Sequence, residues 1–281
     1  MQDKIVLITG GTSGIGFETA RALAAMGAQV IITARDEEKG HNNVSALKRF
    51  TGSDKLDFLV CDFADQQQIR ALAASFLEKH DRLDVLINNH GAAYFTRQTT
   101  AEGIELTLAV NHLGYFLLTH LLLDTLKASA PSRIVNVASN AHVAATIHFD
   151  DIHLKNDYGA MKAYGQSKLA NILFTHELSR SLEGSGVTVN SLHPGFVATN
   201  MGANNLPVFG MLFKMIMNLF VPLKAPQGAS TSIYLASSPE VEGITGKYFI
   251  NEKSVPSNKI SYNADVASRL WDLSMEMVGF V

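Results

Sequence analysis

A short apolar run of strand type, Ile5–Thr9, leads directly into Thr9-Gly10-Gly11-Thr12-Ser13-Gly14-Ile15-Gly16. Helical periodicity then begins and predicts a helix over Gly14–Met26. A glycine string is common by itself; between a strand and a helix it constrains both fold and ligand. Glycines let a pyrophosphate approach the backbone closely. The N-terminus of the helix then offers free N–H groups and the positive end of its dipole. An ordinary glycine-rich turn is the competing reading. Gly10, Thr12, Ser13, Gly14, Ile15 and Gly16 are therefore candidate cofactor contacts.

The remainder repeats this alternation. Strands are predicted at Val30–Ala34, Leu56–Val60, Leu83–Asn88, Arg133–Ala138, Val187–Leu192 and Lys247–Ile250. Helices are predicted at Glu37–Phe50, Gln66–Lys79, Ala101–Ala130, Ala160–Leu182, Gln227–Ser237 and Asp265–Val278. Strands alternating with helices imply right-handed crossovers and a parallel sheet. Several strands are near-continuous apolar runs, as expected where helices cover both faces. The expectation is an α/β fold: one doubly wound, Rossmann-type domain over 1–281, with a mainly parallel sheet of about seven strands. No Pro/Gly/Ser-rich linker divides the chain, and no internal repeat is evident.

Composition narrows the class. The 281 residues are 47% hydrophobic and 17% charged, which suits a filled core and excludes a disordered chain. The net charge of -3, with both signs mixed, argues against a nucleic-acid partner, which would need a basic stripe. One cysteine, Cys61, leaves no internal disulfide and reads as a small buried apolar residue. No charged leader precedes a long apolar run, and no stretch reads as a transmembrane helix, so a soluble, cytoplasmic protein is expected. His142, His148 and His153 lie near one another in sequence, but no ligand spacing completes a metal site.

Cofactor choice turns on local charge. An NAD-preferring site commonly places a carboxylate at the end of the second strand to hold the ribose hydroxyls. Here Ala34 and Arg35 stand there. An arginine pairs with a 2′-phosphate, whereas a carboxylate repels one. The preference read here is NADP(H) over NAD(H); a solvated surface role for Arg35 is the alternative.

Tyr164 and Lys168 share a helix face at i, i+4 spacing. Ser139 follows the strand Ile134-Val135-Asn136-Val137, Asn88-Asn89-His90-Gly91 closes the fourth strand, and Asn111 lies in the long fourth helix. Ligands of parallel sheets sit beyond the carboxyl ends of the strands, where Ser139 and Asn88 are placed. In this combination the chain resembles the short-chain dehydrogenase/reductase family over essentially its whole length. Val110-Asn111-His112-Leu113-Gly114, Ala163-Tyr164-Gly165-Gln166-Ser167-Lys168-Leu169-Ala170-Asn171, Leu192-His193-Pro194-Gly195 and Arg269-Leu270-Trp271 resemble its retinol dehydrogenase-like branch. So does the long gap from Ser139 to Tyr164, with Ile147-His148-Phe149 inside it.

The resemblance implies roles. Tyr164 would be general acid for reduction and base for oxidation. Lys168, with the positive nicotinamide ring, would stabilise its phenolate and would grip the nicotinamide ribose. Ser139 would hydrogen-bond the substrate oxygen. Asn111 would hold a water linking Lys168 to solvent. Asp62 would meet the adenine, although read alone it is a turn or capping residue. Asn88 and Gly91 would line the cofactor's path, and Pro194, Gly195 and Thr199 would hold the nicotinamide carboxamide. The reaction implied is hydride transfer between nicotinamide and a carbonyl/alcohol pair, without a metal.

Two features stand apart. The family usually has alanine where His90 stands; its ring is expected to point into a packed layer rather than to act in catalysis. The apolar, Met-rich segment Leu206–Leu223, within a region at about 200–226, suits a lid over a hydrophobic carbonyl or alcohol substrate. Burial against the core or a partner subunit, and contact with a membrane surface, compete with that reading, and a homo-oligomer stays open. An NADP(H)-binding sensor or assembly component with little turnover is the rival function. The presence of Ser139, Tyr164, Lys168 and Asn111 together favours the enzyme.

Overall fold

The computed structural model describes residues 1–195 and 225–281. Among the described residues, eight strands form one sheet: β1 (Ile5–Ile8), β2 (Gln29–Ala34), β3 (Leu56–Val60), β4 (Val85–Asn88), β5 (Ser132–Val137), β6 (Val187–His193), β7 (Lys247–Ile250) and β8 (Lys253–Val255). Their order is β3-β2-β1-β4-β5-β6-β7-β8. All neighbouring pairs are parallel except β7 and β8. The order reverses between β1 and β4, which opens a crevice beyond the carboxyl ends of those strands.

The helices are α1 (Gly14–Ala25), α2 (Glu37–Thr51), α3 (Gln66–Lys79), an interrupted α4, α5 (Leu123–Ala128), α6 (Ala160–Ser181), α7 (Ala225–Ser237) and α8 (Ala264–Met277). Alternate strand residues feed two apolar layers. Leu7, Ile31, Leu86 and Ile134 face α3, α4, α6 and α8, through residues such as Phe76, Phe116, Leu169 and Leu270. Val6, Ile8, Ile32, Ile87 and Val135 face α1, α2 and α7, through Leu23, Leu47 and Leu235. Helices on both faces explain why the strands read as continuous apolar runs.

Caps set several boundaries. Asp36 begins α2 by accepting the Lys39 N–H, and Gly52 ends it with φ +68°. Asp65 begins α3 by accepting the N–H groups of Gln67 and Gln68. Each such N-cap contributes about 1 kcal/mol.

Two expectations change. The helix anticipated over Ala101–Ala130 is broken. Gly103 has φ +82°, and Thr99 bridges Glu105, so the segment turns before any helix starts. The buried Glu105 carboxylate then caps the first turn, taking the N–H groups of Thr107 and Leu108. From there α4 runs through Leu106–Leu108, a π-helical turn at Ala109–Leu113, and Gly114–Leu121. The second change is the additional strand β8. Asn251 and Glu252, with φ +50° and +65°, make a two-residue hairpin that pairs Ile250 with Lys253. β8 is too short and too exposed to show apolar periodicity.

Candidate active site

The phosphate-binding turn is built on backbone. Gly10 and Gly14 have φ +67° and +54°, a region that side chains other than glycine rarely enter. Crowding fixes two more glycines: a Cβ on Gly11 would lie 2.5 Å from Ile32 Cγ2, and one on Gly16 would lie 2.3 Å from the Gly10 carbonyl oxygen. Thr33 Oγ1 accepts the Gly10 N–H at 2.9 Å, and Asn89 Nδ2 donates to the carbonyls of Thr9 and Gly10 at 2.8 and 3.1 Å. Unlike α2 and α3, α1 has no side-chain cap, and its first turn carries no acidic residue. Its N–H groups at Ser13–Gly16 have no side-chain acceptor there, so the residues present fit an anionic pyrophosphate. Arg35 is exposed just past β2, on the same edge.

Three sequence-predicted catalytic groups meet beyond β5. Ser139 follows the strand and opens a 3-10 turn, its hydroxyl accepting the Ala141 N–H at 3.3 Å. The Tyr164 hydroxyl faces the Ser139 side chain and sits in a nearly closed environment. Burial pushes it up to about 12, which the Ser139 contact only partly offsets. Lys168 Nζ lies 5.7 Å from the centre of the Tyr164 ring and 5.5 Å from that of Tyr115, and donates to the Val137 carbonyl at 3.0 Å. Burial brings Lys168 down to about 7. In the chain alone, then, desolvation disfavours both charged forms.

Asn111 sits inside the π turn, and its side chain makes three hydrogen bonds. Its Oδ1 accepts the Ala92 N–H at 2.8 Å; its Nδ2 donates to the Ala92 carbonyl at 2.9 Å and to Ser167 Oγ at 3.0 Å. Its carbonyl accepts from Asn171 Nδ2 at 2.9 Å. Gly91 lies where these groups converge: a Cβ there would be 3.3 Å from Lys168 Nζ and 3.4 Å from Asn111 Oδ1.

Other predicted positions differ in kind. The Asn88 side chain is buried and turned away into the sheet–helix layer, donating to Thr119 Oγ1 at 3.0 Å and Asn136 Oδ1 at 2.9 Å. Asp62 is exposed after β3 and accepts the Ala64 N–H at 3.0 Å, the geometry of a turn residue. Pro194 and Gly195 follow β6 directly, with Gly195 at φ +82°. Thr199 and the Leu206–Leu223 segment lie outside the described residues; Ala225 and Pro226, at the end of the anticipated lid region, belong to α7.

Sequence reading missed a buried polar network behind the site. Asn171 Oδ1 meets His112 Nδ1 at 3.3 Å, and His112 Nε2 meets Ser274 Oγ at 3.0 Å. Asn136 Nδ2 donates to Thr175 Oγ1, which donates to the Asn171 carbonyl. The available signal was spacing: Asn171 lies three residues beyond Lys168 and four beyond Ser167, on the same helix face. Among the described residues, no group of His, Cys, Asp or Glu side chains could hold a metal, and no helix is long and apolar enough to cross a membrane.

The sequence pattern of the short chain dehydrogenase family matches residues 4–207. Retinol dehydrogenase 14 of Homo sapiens is 44% identical over 100% of this chain and 88% of its own length. Retinol dehydrogenase 12 of Mus musculus is 41% identical over 98% of this chain and 86% of its own. A crystal structure of an uncharacterized Mycobacterium paratuberculosis protein superposes with a TM-score of 0.80 at 30% identity, covering 99% of this chain and 94% of that one. The Pseudomonas aeruginosa RhlG/NADP active-site complex gives 0.72 at 26% identity, covering 89% and 94%. The sheet order agrees with these matches: the chain belongs to the short-chain dehydrogenase/reductase family of oxidoreductases, in its retinol dehydrogenase-like branch.

Proposed function

We propose that this chain is an NADP(H)-dependent oxidoreductase acting on the carbonyl or alcohol group of a lipophilic small molecule, and that 1–281 form one domain. The observation that carries this reading is the placing of Tyr164 against Ser139, with the buried Lys168 ammonium beside its ring. Nicotinamide, when bound, supplies or accepts the hydride. Tyr164 gives its phenolic proton to the substrate oxygen in reduction and takes one back in oxidation. The Ser139 hydroxyl donates to that oxygen, where negative charge grows as the carbon is reduced. Lys168 meets the phenolate with positive charge and reaches the nicotinamide ribose. Burial opposes phenolate formation, so Lys168 and the oxidised ring together must outweigh it by several kcal/mol.

Preference for NADP(H) rests on exposed Arg35 beside the phosphate turn and on the lack of a carboxylate at Ala34. The NADP of the Pseudomonas complex is consistent with it. A lipophilic alcohol or aldehyde follows from relatives named for retinol and from the Met-rich 206–223 segment. Asp62 at the adenine, Asn88 and Gly91 along the cofactor, and Pro194, Gly195 and Thr199 at the carboxamide complete the proposed binding set. The test is Tyr164→Phe with retinal-like aldehydes, read by NADPH absorbance. The variant should keep cofactor affinity and lose turnover by about 1,000-fold, within the range for general acid–base catalysis. Unchanged turnover would remove Tyr164 from the chemistry. Tight NADPH binding with no turnover by the wild type on any carbonyl or alcohol would favour a sensor role.

A further inference from the structure

His90 joins the two parts of the site. Its ring is buried, stacked on Phe63 with centroids 3.6 Å apart and planes 19° apart, and edge-on to Tyr115 at 4.8 Å. Nε2 lies 2.7 Å from the Val110 carbonyl, which can only accept, so Nε2 carries the proton. Nδ1 is then the acceptor, 2.9 Å from the Thr9 hydroxyl. That hydroxyl also accepts the N–H groups of Asn89 and His90, at 2.8 and 3.2 Å. Thr9 is the residue before Gly10 of the phosphate turn, and Val110 the residue before Asn111.

The Val110 bond has a specific cause. In an unbroken α-helix the Gly114 N–H would donate to Val110 O, four residues back. In the π turn it donates to Ala109 O instead, which takes Val110 O out of that bond. His90 supplies a replacement donor from another segment. Gly114 also makes room: a Cβ there would lie 2.9 Å from His90 Nε2 and 3.1 Å from Phe63 Cδ1. Tyr115 completes the attachment by donating its hydroxyl to the His90 carbonyl at 2.7 Å. Burial holds the imidazole down to about 3, so it stays neutral and keeps this one-donor, one-acceptor pattern.

We propose that His90 is a positioning residue: its Nε2–H secures the π turn that carries Asn111, while its Nδ1 secures Thr9 at the mouth of the phosphate turn, so that one ring sets the spacing between the cofactor-binding and catalytic parts. The proposal rests on the hydride-transfer reading for its effect on turnover, but not for its effect on structure.

Three variants of the full chain separate the two bonds. His90→Ala, the residue usual in the family, removes both. In His90→Asn, the side-chain oxygen stands where Nδ1 was and keeps the Thr9 bond. In His90→Gln, the amide nitrogen reaches the Nε2 position and keeps the Val110 bond. The readouts are hydrogen exchange over residues 106–118, the NADPH dissociation constant, and kcat with KM. Each lost bond should cost about tenfold in the quantity it controls. His90→Ala should speed exchange over 106–118, lower kcat and weaken NADPH. His90→Gln should restore slow exchange and kcat but not affinity, and His90→Asn the reverse. Wild-type values in His90→Ala, or equal rescue by Asn and Gln, would overturn the proposal and leave His90 as packing. If His90→Ala fails to fold, the contrast between Asn and Gln decides. A wild-type chain without any turnover would sink the hydride-transfer reading, and exchange with NADPH titration would still judge His90.

Discussion

The two halves of the crevice are made of different material. Around β1, α1 and β2, the cofactor side is mostly main chain: glycines at positive φ or in tight contact, and an α1 N-terminus with no side-chain cap. Around α4, the turn after β5, and α6, the catalytic side is buried side chain: Asn111, Ser167, Lys168, Asn171 and His112, each at 2% exposure or less. The difference follows from the task. A pyrophosphate is recognised by N–H groups and a dipole, which any sequence supplies once the backbone is free to approach. Proton transfer needs particular titratable groups, and burying them requires that every other polar atom nearby be satisfied.

This contrast can be broken by substitution on either side. The largest effect is expected for Lys168→Met. Turnover should fall about 1,000-fold or more, while Tm holds or rises, because burial already disfavours the ammonium that the variant removes. A drop in both together, by calorimetry and assay, would show that Lys168 is structural. On the cofactor side, Gly16→Ala places a Cβ against the Gly10 carbonyl and the Asn89 amide. NADPH affinity should weaken by about 100-fold, with kcat at saturation little changed. An equal loss of kcat would mean that the two halves do not act separately. Arg35→Asp is smaller again: NADPH binding should weaken about tenfold more than NADH binding, as measured by paired titrations. Equal effects would show that Arg35 does not meet the 2′-phosphate.

The smallest effect sharpens the comparison without a mutation. Burial lowers His90 to about 3 and His112 to about 4 in the folded chain, against an ordinary 6.5. Their unfolded forms therefore take up protons first as pH falls. The stability linked to them is complete above pH 6.5 and is lost as pH drops through the window toward 3–4. Protection from hydrogen exchange, taken relative to the intrinsic rate at each pH, should therefore fall over 106–120 between pH 7 and pH 5 before it falls over 5–34. A uniform fall in protection would place the acid-sensitive step elsewhere.

How much of this could be read beforehand follows the same division. The alternation of strands and helices, the glycine turn and the Tyr164–Lys168 spacing lie within short stretches, so periodicity exposed them. The π turn at Ala109–Leu113 did not show, because no residue within it demands the change of pitch; His90 and Asn171 hold its carbonyls from outside. Glu105 gave no cap signal, since glutamate seldom serves there. β8 depended on two non-glycine residues accepting positive φ. Nor did the stretch around Asn88 signal that its side chain would be held by Thr119 and Asn136, which come from other segments.

By itself the sequence determined the parallel α/β layering, the backbone cradle, and the helix face on which Tyr164 and Lys168 lie, because each depends on local periodicity or on glycine's freedom. Tertiary structure alone decided which buried polar atoms satisfy one another, such as His90 with Thr9 and Val110, or His112 with Asn171 and Ser274. Those partners are far apart along the chain, and only close packing brings them within hydrogen-bonding distance.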